Sequence, residues 1–441
     1  MLITGAELAD GRVRDVRIRD GTIETVASGL DPVAKERVID ARGRHLLPGG
    51  IDVHVHFREP GGSHKETWES GSQSAAAGGV TTVVDQPNTA PPTVDGDAFD
   101  EKAELAADAS IVEYGINGGV SPEWDPESLF ARPLFALGEV FLADSTGEMG
   151  IELDRFESAL AVAAEHDVPV TVHAEDATRF DPDALDGASN GAGVTASAEP
   201  WSAYRTAEAE IAAVERALEA ADRAGAQVHI AHTSTPEAVD LVADTDATCE
   251  VTPHHLFFSR ENAERLGTFG RMNPPLRSEE RRSALFERLR DGAIDIVATD
   301  HAPHTAAEKR QGLLDAPSGV PGVETCYPLL LESVRTGNLA LETVRNAVAT
   351  TPAEVFGLER KGRIEPGTDA DLVLVDLTDP REIEAAALHS ACGWTPFEGW
   401  QGVFPEVTIL RGSVVYERDP VTGAASFGDV AGGNVRANGP R

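Results

Sequence analysis

The chain has 441 residues, 41% of them hydrophobic, and sets 74 Asp and Glu against 37 Lys and Arg for a net charge of −37. That length and apolar content suit one large domain plus a smaller one, and the charge argues against a nucleic-acid or anionic-membrane partner. Apolar periodicity through most of the chain excludes disorder, the competing reading of such acidity. Lysine is confined to Lys35, Lys65, Lys102, Lys309 and Lys361, which points to a solvated surface suited to high salt. Cys249, Cys326 and Cys392 form no close-spaced cluster, so neither a disulfide framework nor a cysteine zinc site is expected. The N-terminus "MLITGAELADG" has no basic region followed by a long apolar stretch. A cytoplasmic protein is expected.

In chain order, the first segment reads as short strands. "DVRIRDGTIETVA" (15–27) alternates around Asp20-Gly21, a hairpin signal. Eight β-branched or apolar runs follow: 51–57, 81–87, 112–118, 137–143, 169–175, 227–233, 247–255 and 294–304. Between them lie helix candidates such as "DRFESALAVAAEHD" and "TAEAEIAAVERALEAADRAG", apolar at three- and four-residue spacing. Strand texture returns in "ADLVLVDL" (370–377) and in "EVTILRGSVVYE" (406–417), the latter turning at Arg411-Gly412. The pattern predicts an α/β fold: a (β/α)8 TIM-like barrel over 49–355, with a small composite β-domain from residues 1–48 and 356–420 and a tail over 421–441.

The first run, "IDVHVHFREPGG", raises the question of chemistry. In a strand, Asp52, His54, His56 and Arg58 point to one face and Ile51, Val53, Val55 and Phe57 to the other. A face so polar needs water, partners or a metal. His173 closes the fifth run, His232 the sixth and Asp300 the eighth. Catalytic groups of such barrels gather at the C-terminal strand ends. Imidazoles with a carboxylate suit zinc. A single buried histidine is more often a hydrogen-bonded core residue; this ordered set is not so explained.

"DVHVHFREPG", "PNTAPPT", "VHAED", "HIAHTST", "VTPHH", "MNPPLR", "ATDHAPH" and "GRIEPGTDADLVLVD", in that order, resemble the dihydroorotase family within the amidohydrolase superfamily. The resemblance runs to about Glu417. It implies a metal-bearing barrel capped by a composite β-domain. It implies reversible cyclisation of N-carbamoyl-L-aspartate to L-dihydroorotate, with one or two zinc ions per subunit. It implies His54, His56, His173, His232 and Asp300 as metal ligands, with Asp300 also as the catalytic proton shuttle. The substrate would meet His56, Arg58, Asn88, Asn273, His304 and the loop around Ser318 and Gly319. Of His254 and His255, at least one is expected to be structural. A homo-oligomer and association with aspartate carbamoyltransferase are compatible with the resemblance.

Barrel hydrolases for allantoin or dihydropyrimidines share the metal frame, but their substrates lack the ring carboxylate that Arg58 would grip. Inactive partners of aspartate carbamoyltransferase have usually lost ligands that are present here. One departure stands out. Many relatives bridge two metals with a carbamylated lysine on strand four, and here no lysine lies between Lys102 and Lys309. Glu139 occupies the matching position and Asp144 follows five residues later, on the opposite face of a regular strand. Glu139, with Asp144 as the alternative, is the expected fourth-strand ligand, without a carbamate.

Overall fold

The computed structural model describes residues 1–145, 149–186 and 197–437. Among them eight short parallel strands form a barrel: β1 (Gly50–Val55), β2 (Val80–Asp85), β3 (Glu113–Ile116), β4 (Leu137–Phe141), β5 (Val170–His173), β6 (Val228–Ile230), β7 (Thr248–Val251) and β8 (Ile296–Val297). β1 to β3 pair as one sheet and β4 to β8 as another. Single bridges join them, Gly118 with Leu137 on one side and Val55 with His301 on the other. Each of the eight runs contains one strand.

Alternation in β1 does what period two requires. Ile51 and Val53 pack outward with Ala353 and Phe356, while Asp52 and His54 turn the other way. Asp52 accepts from Thr299 N at 3.0 Å and from its hydroxyl at 2.6 Å, tying β1 to the chain just after β8. The predicted helices form at Leu153–Glu165 and Ala207–Ala224 and pack on each other. Thr206 caps the second through Ala209 N, an interaction contributing about 1 kcal/mol, and Gly225 ends it in the left-handed region at φ 64°. Its buried face, Ala209, Ala213, Ala217 and Ala220, follows the helical repeat.

The small domain is one sheet built from both ends of the chain. Strands Leu2–Glu7, Val13–Arg19, Thr22–Ala27 and His45–Pro48 join Leu372–Val375, Pro405–Leu410 and Ser413–Arg418. Both expected hairpins form: Asp20 and Gly21 have φ 49° and 80°, Arg411 and Gly412 φ 44° and 73°, the left-handed pair of a tight turn. The described part of the stretch expected as a tail, up to residue 437, is tied down instead. Ala425–Phe427 adds a strand beside Ser413–Arg418, and Val435 N donates to Tyr114 O at 2.9 Å. Val435 is buried against the barrel, in one cluster with Ile51, Val53 and Val84.

Lysine has been withdrawn inward. Lys102 Nζ lies 2.7 Å from Asp85 and 2.6 Å from Gln86 O. Lys361 Nζ lies 2.5 Å from Asp371 and against Glu113. Lys309 Nζ donates to the carbonyls of Arg271, Pro317 and Gly319 at 2.9, 2.8 and 3.0 Å. Lys65 is half-buried and Lys35 exposed. Among the described residues no helix is long and apolar enough to cross a membrane.

Candidate metal centre and active site

At the C-terminal end of the barrel six side chains converge. His54 comes from β1 and His56 from just beyond it, Glu139 from β4, His173 from β5, and His232 and Asp300 from the turns after β6 and β8. All are buried. His56 Nε2 lies 3.0 Å from Asp300 Oδ1. His54 Nε2 lies 3.4 Å from Glu139 Oε2 and 3.6 Å from Asp300 Oδ1. Glu139 Oε1 sits 2.6 Å from His232 Nε2 and 2.9 Å from His173 Nδ1, and those two nitrogens are 3.0 Å apart. Ligand-type atoms thus fall into two adjoining groups, His54–His56–Asp300 and His54–Glu139–His232, each within 4.8 Å.

The residues present fit a divalent cation. His54 Nε2 is buried without a hydrogen-bond partner, although two carboxylates stand before it. Burial should lower the pKa of both His54 and His173, but the carboxylates around them prevail and raise it, for His173 to about 9. A metal ion bound there would take the place of those protons. Nitrogen and carboxylate donors without thiolate suit zinc and its neighbours. Burial would lift the carboxyl of Asp300, yet the hydrogen bond from His56 and the nearby imidazoles bring it down to about 2, so it stays ionised.

Local geometry explains the placement. Gly138 has φ 137°, and a Cβ there would stand 2.3 Å from Thr171 O, so only glycine lets β4 lie this close to β5. The adjoining amide of Glu139 donates to Gln86 Oε1 at 2.8 Å. Asp144 is placed otherwise. Beyond Phe141 the chain leaves the strand, and Asp144 is exposed, its carboxylate accepting from Gly150 N at 2.7 Å. The alternative to Glu139 is therefore corrected: Asp144 lies at the surface, its carboxylate bound to the backbone.

A cleft of about 300 Å³ opens on the cluster, lined by His56, Arg58, Asn88, Asn273, Ser318 and Gly319 as well as Glu139, His232 and Asp300. Arg58 is buried at φ 66°, already off the strand, and its Nε donates to Pro303 O at 3.2 Å. Asn88 Oδ1 accepts from His56 Nδ1 at 2.7 Å. Asn273 is held by Trp201 Nε1 at 2.9 Å and by Ser145 Oγ at 3.0 Å. Gly319 has φ 127°, and a Cβ there would lie 2.6 Å from Ala302 O. Its loop is clamped from below by Lys309 and by Arg271, whose Nη1 donates to the carbonyls of Leu313 and Leu314 at 2.7 and 2.8 Å.

His304 stands beside Arg58, whose Nη2 is 3.2 Å from its Nε2, with Nδ1 3.2 Å from Lys65 Nζ and Nε2 3.0 Å from Ser318 O. His255 is structural, bonded to the Thr252 hydroxyl at 2.8 Å and to Pro274 O at 3.0 Å.

Sequence reasoning missed the carboxylates behind the histidines. Glu175 Oε2 meets His173 Nε2 at 2.8 Å and is itself paired with Arg205. Glu250 meets His54 Nδ1 at 2.5 Å. The available signal was an acid inside an apolar strand in "TCEV", and one two residues past a strand-ending histidine in "HAED".

Comparison with known proteins agrees with this geometry. Residues 45–415 match the model described as the amidohydrolase family. The chain is 63% identical over 422 residues to the dihydroorotase of Halobacterium salinarum, covering 96% of this chain and 97% of that one. It is 44% identical over 438 residues to that of Methanosarcina acetivorans, covering 96% and 92%. To that of Bacillus licheniformis it is 36% identical over 417 residues, covering 92% and 94%. Among solved structures, an L-hydantoinase (dihydropyrimidinase) from Arthrobacter aurescens superposes with a TM-score of 0.88 at 28% identity, covering 98% of this chain and 99% of that one. A D-hydantoinase from a Thermus species gives 0.88 at 27%, covering 99% and 98%.

Proposed function

The chain belongs to the amidohydrolase family and, within it, to the dihydroorotases, and from that premise we propose how its cleft divides the work. The reaction is the reversible cyclisation of N-carbamoyl-L-aspartate to L-dihydroorotate. Zinc, held by His54, His56, Glu139, His173, His232 and Asp300 as one ion or two, would supply Lewis acidity to the scissile carbonyl and acidify the attacking water. No carbamylated lysine takes part, since Glu139 stands where that lysine would.

In the hydrolytic direction Asp300 takes the water proton and delivers it to the leaving ring nitrogen. In the biosynthetic direction the same carboxylate removes the ureido N–H proton as that nitrogen attacks the side-chain carboxylate, and returns it to the carboxylate oxygen that leaves as water when its C–O bond breaks. Arg58 grips the ring carboxylate by a two-pronged contact. Asn88 and Asn273 orient the substrate from opposite walls, and backbone groups around Ser318 and Gly319 close on its ring. His304 positions Arg58 and that loop.

The observation that carries this reading is that Arg58 and the histidine–carboxylate cluster open onto the same small cleft. The two solved hydantoinases named above share the fold at 28% and 27% identity, whereas the dihydroorotase of Halobacterium salinarum reaches 63%. Zinc-loaded protein assayed in high salt should interconvert dihydroorotate and carbamoyl-aspartate. Faster opening of hydantoin or allantoin would overturn the substrate assignment, and absence of all three activities would favour an inactive partner. We place the enzyme in the cytoplasm. Its assembly, alone or with aspartate carbamoyltransferase, is read by size-exclusion chromatography of the pure chain and of the mixture.

A further inference from the structure

We propose that Glu250 is a positioning residue that fixes which nitrogen of His54 faces the cleft and simultaneously holds the backbone of His232, so that one buried carboxylate registers both halves of the ligand set. This rests on the metal-binding reading above.

Glu250 lies in β7 and is 1% exposed. A carboxylate so deep persists only when its lone pairs are answered. Here Oε1 receives His54 Nδ1 at 2.5 Å and His232 N at 3.2 Å, and Oε2 receives His229 Nε2 at 3.2 Å. Its ion-pair partners among the described residues are His54 and His229, with no lysine or arginine.

An ionised carboxylate only accepts. When His54 is neutral, as a metal ligand must be, its proton therefore belongs on Nδ1, and Nε2 keeps a lone pair. Nε2 is the atom left without a hydrogen-bond partner in front of Glu139 and Asp300. The arrangement is reinforced from behind. His229 Nδ1 lies 2.8 Å from the Thr248 hydroxyl, which can donate to it and so leave the His229 proton on Nε2, facing Glu250. His232 is also special, because its φ of 35° is a conformation that side-chain-bearing residues rarely adopt. Its amide is caught by the same oxygen that holds His54. His54 takes part in both ligand groups and His232 in one, so a shift of Glu250 would move both groups together.

The other ligands are braced differently. His56 leans on the neutral amide of Asn88, and His173 on Glu175, whose charge Arg205 answers. Among these braces Glu250 is the carboxylate whose charge is met by histidines, the ligand His54 and His229 behind it, with no arginine among the described residues.

The test measures zinc affinity of the metal-stripped chain by competition with a chromophoric chelator. Glu250→Gln keeps the shape and an acceptor for His54 but loses the charge. Glu250→Leu loses both acceptors. Zinc Kd should rise roughly 3–10-fold in the first and roughly 10–100-fold in the second, the range expected when a ligand's hydrogen-bond partner is removed. Nitrogen-15 spectra of histidine-labelled, metal-stripped wild-type chain, taken at a pH high enough for His54 to be neutral, should show its one ring proton on Nδ1, and Glu250→Leu should lose that preference. A merely structural acid would lower the melting temperature and leave zinc affinity unmoved. Should Glu250→Leu fail to fold, Glu250→Gln decides alone. Either folded variant binding zinc within twofold of wild type overturns the proposal. A wild-type chain that binds no zinc instead overturns the metal reading beneath it.

Discussion

Glu139 Oε1 and His232 Nε2 lie 2.6 Å apart, joining a carboxylate of the fourth barrel strand to an imidazole beyond the sixth. A lysine carbamate is a carboxylate on a longer arm. Here the shorter arm already reaches its partners, because Gly138 lets β4 press against β5.

The first prediction follows from that contact. Glu139→Ala should lower bound zinc per chain and reduce turnover by upwards of roughly 100-fold, more than disturbing a ligand's partner alone achieves. Asp144→Asn should leave both within twofold. Wild-type activity should not respond to bicarbonate, since no carbamate has to form. Metal analysis and initial rates with and without bicarbonate check all three.

Asp300→Asn should keep the fold and remove most turnover, because an amide cannot take up the water proton. Loss of a general base typically costs about 10²–10⁴-fold. Circular dichroism and kcat report on the two halves of the claim, and near-normal turnover across pH would dismiss the role.

Arg58→Gln should act mainly on substrate recognition. A hydrogen bond to a charged group contributes roughly 1.5–3 kcal/mol, or about a 10- to 150-fold change in kcat/KM. The loss should be much smaller for an analogue lacking the ring carboxylate. Equal losses on both compounds would count against a specific grip.

Stability should rise with salt. With a net charge of −37, self-repulsion opposes the compact state, and the screening length shortens from about 10 Å at 0.1 M to about 3 Å at 1 M. Calorimetry in stepped KCl should show a climbing melting temperature. A flat or falling series would mean that repulsion is not what limits the fold.

The barrel was legible because its signal is local. Eight runs of β-branched residues each hold one strand, and the two turns with left-handed pairs at Asp20-Gly21 and Arg411-Gly412 form hairpins. His54, His56, His173, His232 and Asp300 were found for the same reason, each ending or following a strand. Partners that depend on the third dimension were not legible. Glu250 reads in sequence as one more acid in an acidic chain, and only the closing of the barrel, with β7 between β6 and β8 and β8 next to β1, brings it to His54 and His232. Arg205 lies 30 residues from Glu175, so nothing local pairs them. Asp144 misled because alternation says which face of a strand a residue takes, not where the strand ends.

The inward withdrawal of lysine decides how this protein meets amine-directed reagents. Lys102, Lys309 and Lys361 are buried among acceptors, Lys65 is half-buried, and Lys35 alone is exposed. The N-terminal amine is engaged with Ile18 O at 2.9 Å. Acylating labels and activated-ester supports will therefore take hold first at Lys35. An immobilised chain will hang from its small β-domain, by one bond, rather than from the barrel in many orientations.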